Sequence, residues 1–144
     1  MKGREDATAC FNAGFNCCQS ILFAYGPNLG LDREMALKVA GAFGGGIAGM
    51  GETCGVVTGA LMVIGLKYGM TDASDHGAKA RARESSQAFI REFVSACGSI
   101  KCRDLLECDI GTAEGTERAR SLGLFQTLCP AFVDHSARIL GELI

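Results

Sequence analysis

Residues 44–51 read GGGIAGMG, with five glycines in eight positions. Backbone this rich in glycine takes positive φ angles or packs very closely against another segment, so it does not form a regular helix interior. The segment also interrupts an apolar region. From Val39 to Leu66 the only charged residue is Glu52, which leaves apolar runs over 39–51 and 53–66. A membrane span needs about 20 apolar residues in a row. Each run is shorter than that and suits a buried segment of a globular core, so no membrane span is expected.

The rest of the chain reads as helix. Only Pro27 and Pro130 interrupt it, and no stretch sustains period-2 alternation. The pattern predicts an all-α fold: one domain over 1–144, a compact bundle of five to six helices with a Gly-rich loop before a central helix. The first helix is expected from Arg4 to Tyr25, with Ala7, Phe11, Phe15, Cys18 and Leu22 on its apolar stripe. Cys10, Cys17, Ile21 and Ala24 widen that stripe, and Gly26-Pro27-Asn28 ends the helix. Asp32 is placed to cap a second helix carrying Met35, Ala36, Val39, Ala40 and Phe43. A third is expected from Thr53 to Tyr68. Its Gly55 and Gly59 let a neighbour approach closely, which makes it central.

A fourth helix is expected from His76 to Ala96, with KARAR at 79–83 as its solvated face and Phe89, Ile90, Phe93, Val94 and Cys97 turned inward. A short helix at Cys102–Glu107 and a loop at Gly111–Gly115 follow. A last helix, starting at Phe125 or Pro130 and running to Leu143, aligns Cys129, Phe132, Val133, Ser136, Ala137 and Leu140.

The net charge is −2, tryptophan is absent and aromatics make up 7%. A nucleic-acid partner is therefore not expected, since it would require a basic excess or aromatic stacking platforms. The segment MKGREDATAC has no apolar stretch behind its basic residues, so a secretory signal is not expected and the cytoplasm is the expected compartment. Disulfides rarely persist there. Eight cysteines then point to metal ligation, redox chemistry or burial.

No C-x-x-C occurs, which excludes local zinc-ribbon and ferredoxin-type loops. Four thiolates could converge only from different helices, as in a site built inside a bundle. Cys54 is the most informative by position. It stands at an expected helix start, where free amides and the helix dipole lower a thiol's pKa, with Thr53 as a candidate cap. A small residue buried in a tight helix start fits the same position. Cys102 lies between Lys101 and Arg103, which favour a thiolate, and heads a short helix. Cys129 falls on a buried stripe, where core packing is the simpler account. Cys17 and Cys18 are about 100° apart on a helix, so one faces a site only if the other packs.

Other constellations are thin. His76 and His135 read as surface residues, and His135 points away from Cys129. GGGIAGMG lacks the G-K-[ST] ending of a phosphate loop, and no strand precedes it.

The run N-C-C-Q at 16–19, GGG at 44–46, ETCGVVTGALMVIGL at 52–66, CRDLL at 102–106 and a C-terminal helix carrying Cys129 resemble a family along essentially the whole chain. It is the C_GCAxxG_C_C family of redox-active proteins, about 140 residues long. The family label has glycine before its second cysteine and alanine after it; here those positions are Thr53 and Gly55. The resemblance implies that Cys17, Cys54, Cys102 and Cys129 form the functional set. Cys10, Cys18, Cys97 and Cys108 fall outside it, with no role assigned.

Three chemistries stay open, beside a non-redox helical module whose cysteines only pack. In the first, the four cysteines ligate an iron-sulfur cluster of the 2Fe-2S kind for electron transfer, with Gly45, Gly46 and Gly55 bringing main-chain amides to the cofactor. In the second, Cys54 is the nucleophile of a metal-free thiol–disulfide oxidoreductase or sensor, with Cys17 or Cys129 resolving. In the third, the thiolates hold zinc or another soft metal for structure or trafficking. The chain is thus expected to be an oxidoreductase or electron carrier. A redox partner protein and a homodimer are both compatible with it.

Overall fold

Helix caps set the layout of this chain more than its apolar stripes do. The computed structural model describes residues 2–144, and every regular element among them is helical. The all-α class holds, while the expected five to six helices undercount it. The helices are α1 Lys2–Asn12, α2 Cys17–Tyr25, α3 Arg33–Ala40, α4 Gly55–Tyr68, α5 His76–Cys97, α6 Cys102–Leu106, α7 Ala113–Ser121, α8 Leu124–Thr127 and α9 Cys129–Leu143. Short 3-10 turns follow α2 at Pro27–Leu29 and α3 at Gly41–Phe43. No helix among the described residues is long and apolar enough to cross a membrane.

The single helix expected over Arg4–Tyr25 is two. Gly14 takes φ +109°, and Asn16 caps α2 through a reciprocal pair of bonds with Gln19. The Gln19 amide donates to Asn16 Oδ1 at 2.8 Å, and the Asn16 amide donates to Gln19 Oε1 at 2.9 Å. This capping box satisfies donors that a helix end would otherwise leave open, so the chain breaks there despite its continuous stripe. Phe15 falls in the break and is exposed rather than buried. The loop expected at Gly111–Gly115 is largely the start of α7, because Thr112 Oγ1 accepts from the Gly115 amide at 2.9 Å. Of the two starts expected for the last helix, the later one holds: α9 begins at Cys129 with Pro130 in its first turn, and Phe125 belongs to the separate α8.

α4 is central, as its small residues require. It packs against α2, α5 and α9. A Cβ on Gly59 would lie 3.0 Å from the Cys18 carbonyl oxygen and 3.1 Å from Ile21 Cβ. The main core surrounds this contact and includes Ile21, Leu22, Val56, Val57, Val63, Ile64, Phe89, Phe93 and Val133. Burying each such side chain is worth about 1.5–3 kcal/mol. Phe89 and Phe93, one turn apart on α5, stack with ring centroids 5.9 Å apart. A second, smaller cluster comprises Cys102, Leu106, Cys108, Ile110, Ala119 and Cys129. Phe11 and Phe132 pack against both clusters.

Two hydroxyls fix α9 on this core. Ser136 Oγ, fully buried, donates to the Val56 carbonyl at 2.8 Å, and Tyr25 OH donates to the Ala137 carbonyl at 2.8 Å. Arg4 on α1 pairs with Asp134 on α9 at the surface.

The packing separates two glycines of α4. Gly59→Ala is expected to lower stability by about 1–3 kcal/mol, because the added methyl meets a backbone oxygen across the α2 contact. Gly65→Ala, where no atom lies within 4 Å of the new Cβ, is expected to raise it by about 0.4–1 kcal/mol. Urea unfolding followed by circular dichroism measures both.

Candidate thiol site

The glycine run forms an unusual piece of backbone. Gly45, Gly46, Ile47, Ala48 and Gly49 have φ of 64°, 71°, 64°, 53° and 73° in succession, and Gly51 has 72°. Left-handed backbone costs about 1–2 kcal/mol per residue with a side chain, and a β-branched residue such as Ile47 is rarely found in it. A ladder of amides running back along the segment holds it. Ala48 donates to the Ala42 carbonyl at 2.8 Å, Gly49 to Gly44 at 2.9 Å, Gly51 to Gly45 at 3.0 Å and Glu52 to Gly46 at 2.7 Å. The amides of Gly45 and Gly46 stand outside this ladder.

This turn walls one side of a cavity of about 200 Å³ at the seam between the two core clusters. Cys17, Cys54, Cys102 and Cys129 all line it, as do Gly45, Gly46 and Gly55. The other walls are Phe11, Leu105, Leu106, Ile110, Phe125 and Phe132, with Asn16 as the only other polar side chain. The four cysteines come from four segments: the start of α2, the cap of α4, the start of α6 and the start of α9. All four are free thiols.

Local structure explains how each arrives. The capping box that breaks α1 from α2 puts Cys17 at a helix start instead of mid-helix. Cys18, its neighbour, turns into the core and is fully buried. Cys54, not Thr53, is the N-cap of α4. Thr53 instead pairs with Lys101 in an isolated bridge, and the Cys54 amide donates to the Ile100 carbonyl at 2.7 Å. Gly55 lets α2 come against the start of α4, since a Cβ there would lie 2.8 Å from the Cys18 amide nitrogen and 3.0 Å from Cys17 Cβ. Gly46 does the same for Cys102, whose Cβ would be 2.6 Å from an added methyl.

The thiols differ in acidity. The neighbouring Cys129 and Cys54 thiols, then burial, push the Cys17 pKa well above the usual thiol value. Cys54 is moved down, first by the Cys17 S–H and then by the amides of Val56 and Val57, against the opposing effect of burial. The expected acid-strengthening helix start at Cys54 is therefore present, but a neighbouring thiol is its largest part. Cys102 departs from its expectation. Burial pushes it up to about 12, with Cys54 and Cys129 adding to the shift. Arg103, expected to favour a Cys102 thiolate, turns to Glu52 and the Gly51 carbonyl instead.

The remaining cysteines do not line the cavity. Burial pushes Cys18 up to about 11 and also raises Cys10 and Cys97. Cys108 packs in the smaller cluster beside Cys102 and Cys129. His76 is exposed, whereas His135 is only half-exposed, with its Nδ1 buried and without a hydrogen-bond partner. Among the described residues, no group of three or more His, Cys, Asp or Glu side chains stands in an arrangement that would hold a metal ion. Asn16 and Ile110 are site residues that the sequence reading assigned no role; for Asn16 the N-x-x-Q spacing with Gln19 is the signal that marks it.

An all-helical chain with four cysteines on one apolar cavity defines a class of four-cysteine, thiol-centred proteins. The family model described as "Putative redox-active protein (C_GCAxxG_C_C)" matches residues 15–143, and the chain belongs to that family. Neither a curated protein nor a solved structure matches it.

In reduced, metal-free protein, the pH midpoint for alkylation of Cys54 should fall below the ordinary thiol value of about 8.5. Cys17→Ala removes the largest acid-strengthening contact and leaves burial opposed by the Val56 and Val57 amides alone, so the midpoint should move upward. Rates of iodoacetamide labelling at Cys54 as a function of pH check both the direction and the cause.

Proposed function

We propose that Cys17, Cys54, Cys102 and Cys129 ligate an iron-sulfur cluster, of the 2Fe-2S kind, and that the protein carries electrons. The observation behind this reading is the placement of four thiols from four segments around one apolar cavity of about 200 Å³. The donor set suits iron, since thiolates are the usual ligands of such clusters. The space suits a polynuclear group better than one zinc ion, which would need its sulfurs within about 2.3 Å of a single point.

When bound, the cluster supplies a one-electron donor and acceptor. The chain's own residues hold and shield it. Cys54, whose pKa is already lowered, is readier to ionise than Cys17 or Cys102, which need a cation to keep them deprotonated in an apolar surround. Phe11, Phe125, Phe132, Leu105 and Ile110 keep water from the cavity. Gly45 and Gly46 supply main-chain amides on the wall, which tune thiolate charge by hydrogen bonding.

The contact between Cys17 and Cys54 favours a second reading without metal. A Cys54 thiolate attacks a substrate disulfide, forming a mixed disulfide and releasing one substrate thiolate. Cys17 then attacks Cys54 Sγ, its proton passing to the departing second substrate thiolate, and a Cys17–Cys54 disulfide is left.

Untagged protein purified without air distinguishes the two. The cluster reading expects about two irons and two labile sulfides per chain. Each Cys→Ser change at the four positions should abolish them, while Cys10→Ser should retain them. Iron retained in Cys54→Ser would overturn the assignment. Absence of iron, together with a Cys17–Cys54 disulfide after mild oxidation, would establish the second reading instead.

A further inference from the structure

Cys54 and Cys102 sit on two short segments that touch edge to edge. The Cys102 amide donates to the Glu52 carbonyl at 2.7 Å, and the Arg103 amide donates to the Gly51 carbonyl at 3.2 Å. One side chain closes this seam from outside. Arg103 Nε donates to the Gly51 carbonyl at 3.1 Å, and its terminal nitrogen pairs with the Glu52 carboxylate. Both charged groups are partly exposed, at 36% and 48% of their side chains.

The seam joins two short elements of the cavity wall. α6 has five residues, and the strip opposite it is the left-handed glycine turn. A five-residue helix has little stability of its own. Cys102 Cβ packs directly against Gly46, so a small separation of the two strips moves Cys102 away from the wall that faces the other thiols.

We propose that Arg103 is a positioning residue, which with Glu52 clasps the Cys102 segment to the glycine turn and so sets how closely Cys102 is held in the thiol cavity. The guanidinium suits this task because its fixed fork reaches a carbonyl and a carboxylate at once, which an ammonium cannot do in the same geometry. The inference rests on the reading that Cys102 belongs to the thiol site, and it holds whichever group the cavity takes.

The test uses the reduced, metal-free full chain and reads the iodoacetamide rate at each cysteine by peptide mass spectrometry. Arg103→Gln should speed labelling of Cys102 by about tenfold, the effect of losing one ion pair and one hydrogen bond from a local closed state. Cys17 and Cys18, on α2, should stay within about twofold. Glu52→Gln should act in the same direction, and Arg103→Lys should fall between Arg103→Gln and the unaltered chain. If Arg103→Gln fails to fold, Glu52→Gln and labelling of the unaltered chain in 1 M salt (about 3 Å screening length) take its place. An unchanged Cys102 rate in these comparisons would overturn the proposal. So would a rise in Cys17 and Cys18 in step with Cys102, which would show general loosening. Failure of the iron reading appears separately, as absent iron, and leaves these rates interpretable.

Discussion

The approach of α2 to the start of α4 is the contact on which the rest of the structure depends. At Gly55 and Gly59 the two helices come closer than any side chain on α4 would permit. That approach lays Cys17 beside Cys54 and buries Cys18 in the core against α4. It also makes α4 the hub, with α5 and α9 packed around it. Ser136 then ties α9 to the first turn of α4, which carries Cys129 to the same cavity. The Cys17–Cys54 side of the thiol site is thus built on a close helix–helix contact.

Placing four thiols in an apolar pocket creates an electrostatic conflict. One thiolate is sustained by a neighbouring S–H and two helix amides, but a second beside it is opposed by burial and by the first. Among the described residues, no Lys, Arg or His lines the cavity to relieve this. Either a cationic group enters and lets Cys17 and Cys102 ionise with Cys54, or the site works through the Cys54 thiolate with those two neutral. The two readings of function are the two solutions of that conflict, and the four-segment donor set favours the first.

Much of this was legible in the sequence. The near absence of proline and of period-2 alternation gives the all-helical class, and GGGIAGMG announces left-handed backbone, which it adopts even at Ile47 and Ala48. Gly55 and Gly59 mark the central helix. What escaped was decided by single side-chain caps. Asn16 with Gln19, and Thr112 with Gly115, start helices inside stretches that periodicity alone reads as one helix or as loop. The partner of Arg103 was equally hidden, because Glu52 lies far from it in sequence and charge near a thiol reads as thiolate support until geometry shows where it points. The Cys102 acidity was misjudged for the same reason: burial, not the adjacent basic residues, dominates it.

Diffraction from crystals of anaerobically purified protein, recorded on both sides of the iron absorption edge, tests the central claim most directly. The account predicts iron density inside the cavity, bonded to the sulfurs of Cys17, Cys54, Cys102 and Cys129. A cavity empty of iron, with a disulfide joining Cys17 to Cys54 or iron bound elsewhere on the chain, would contradict it.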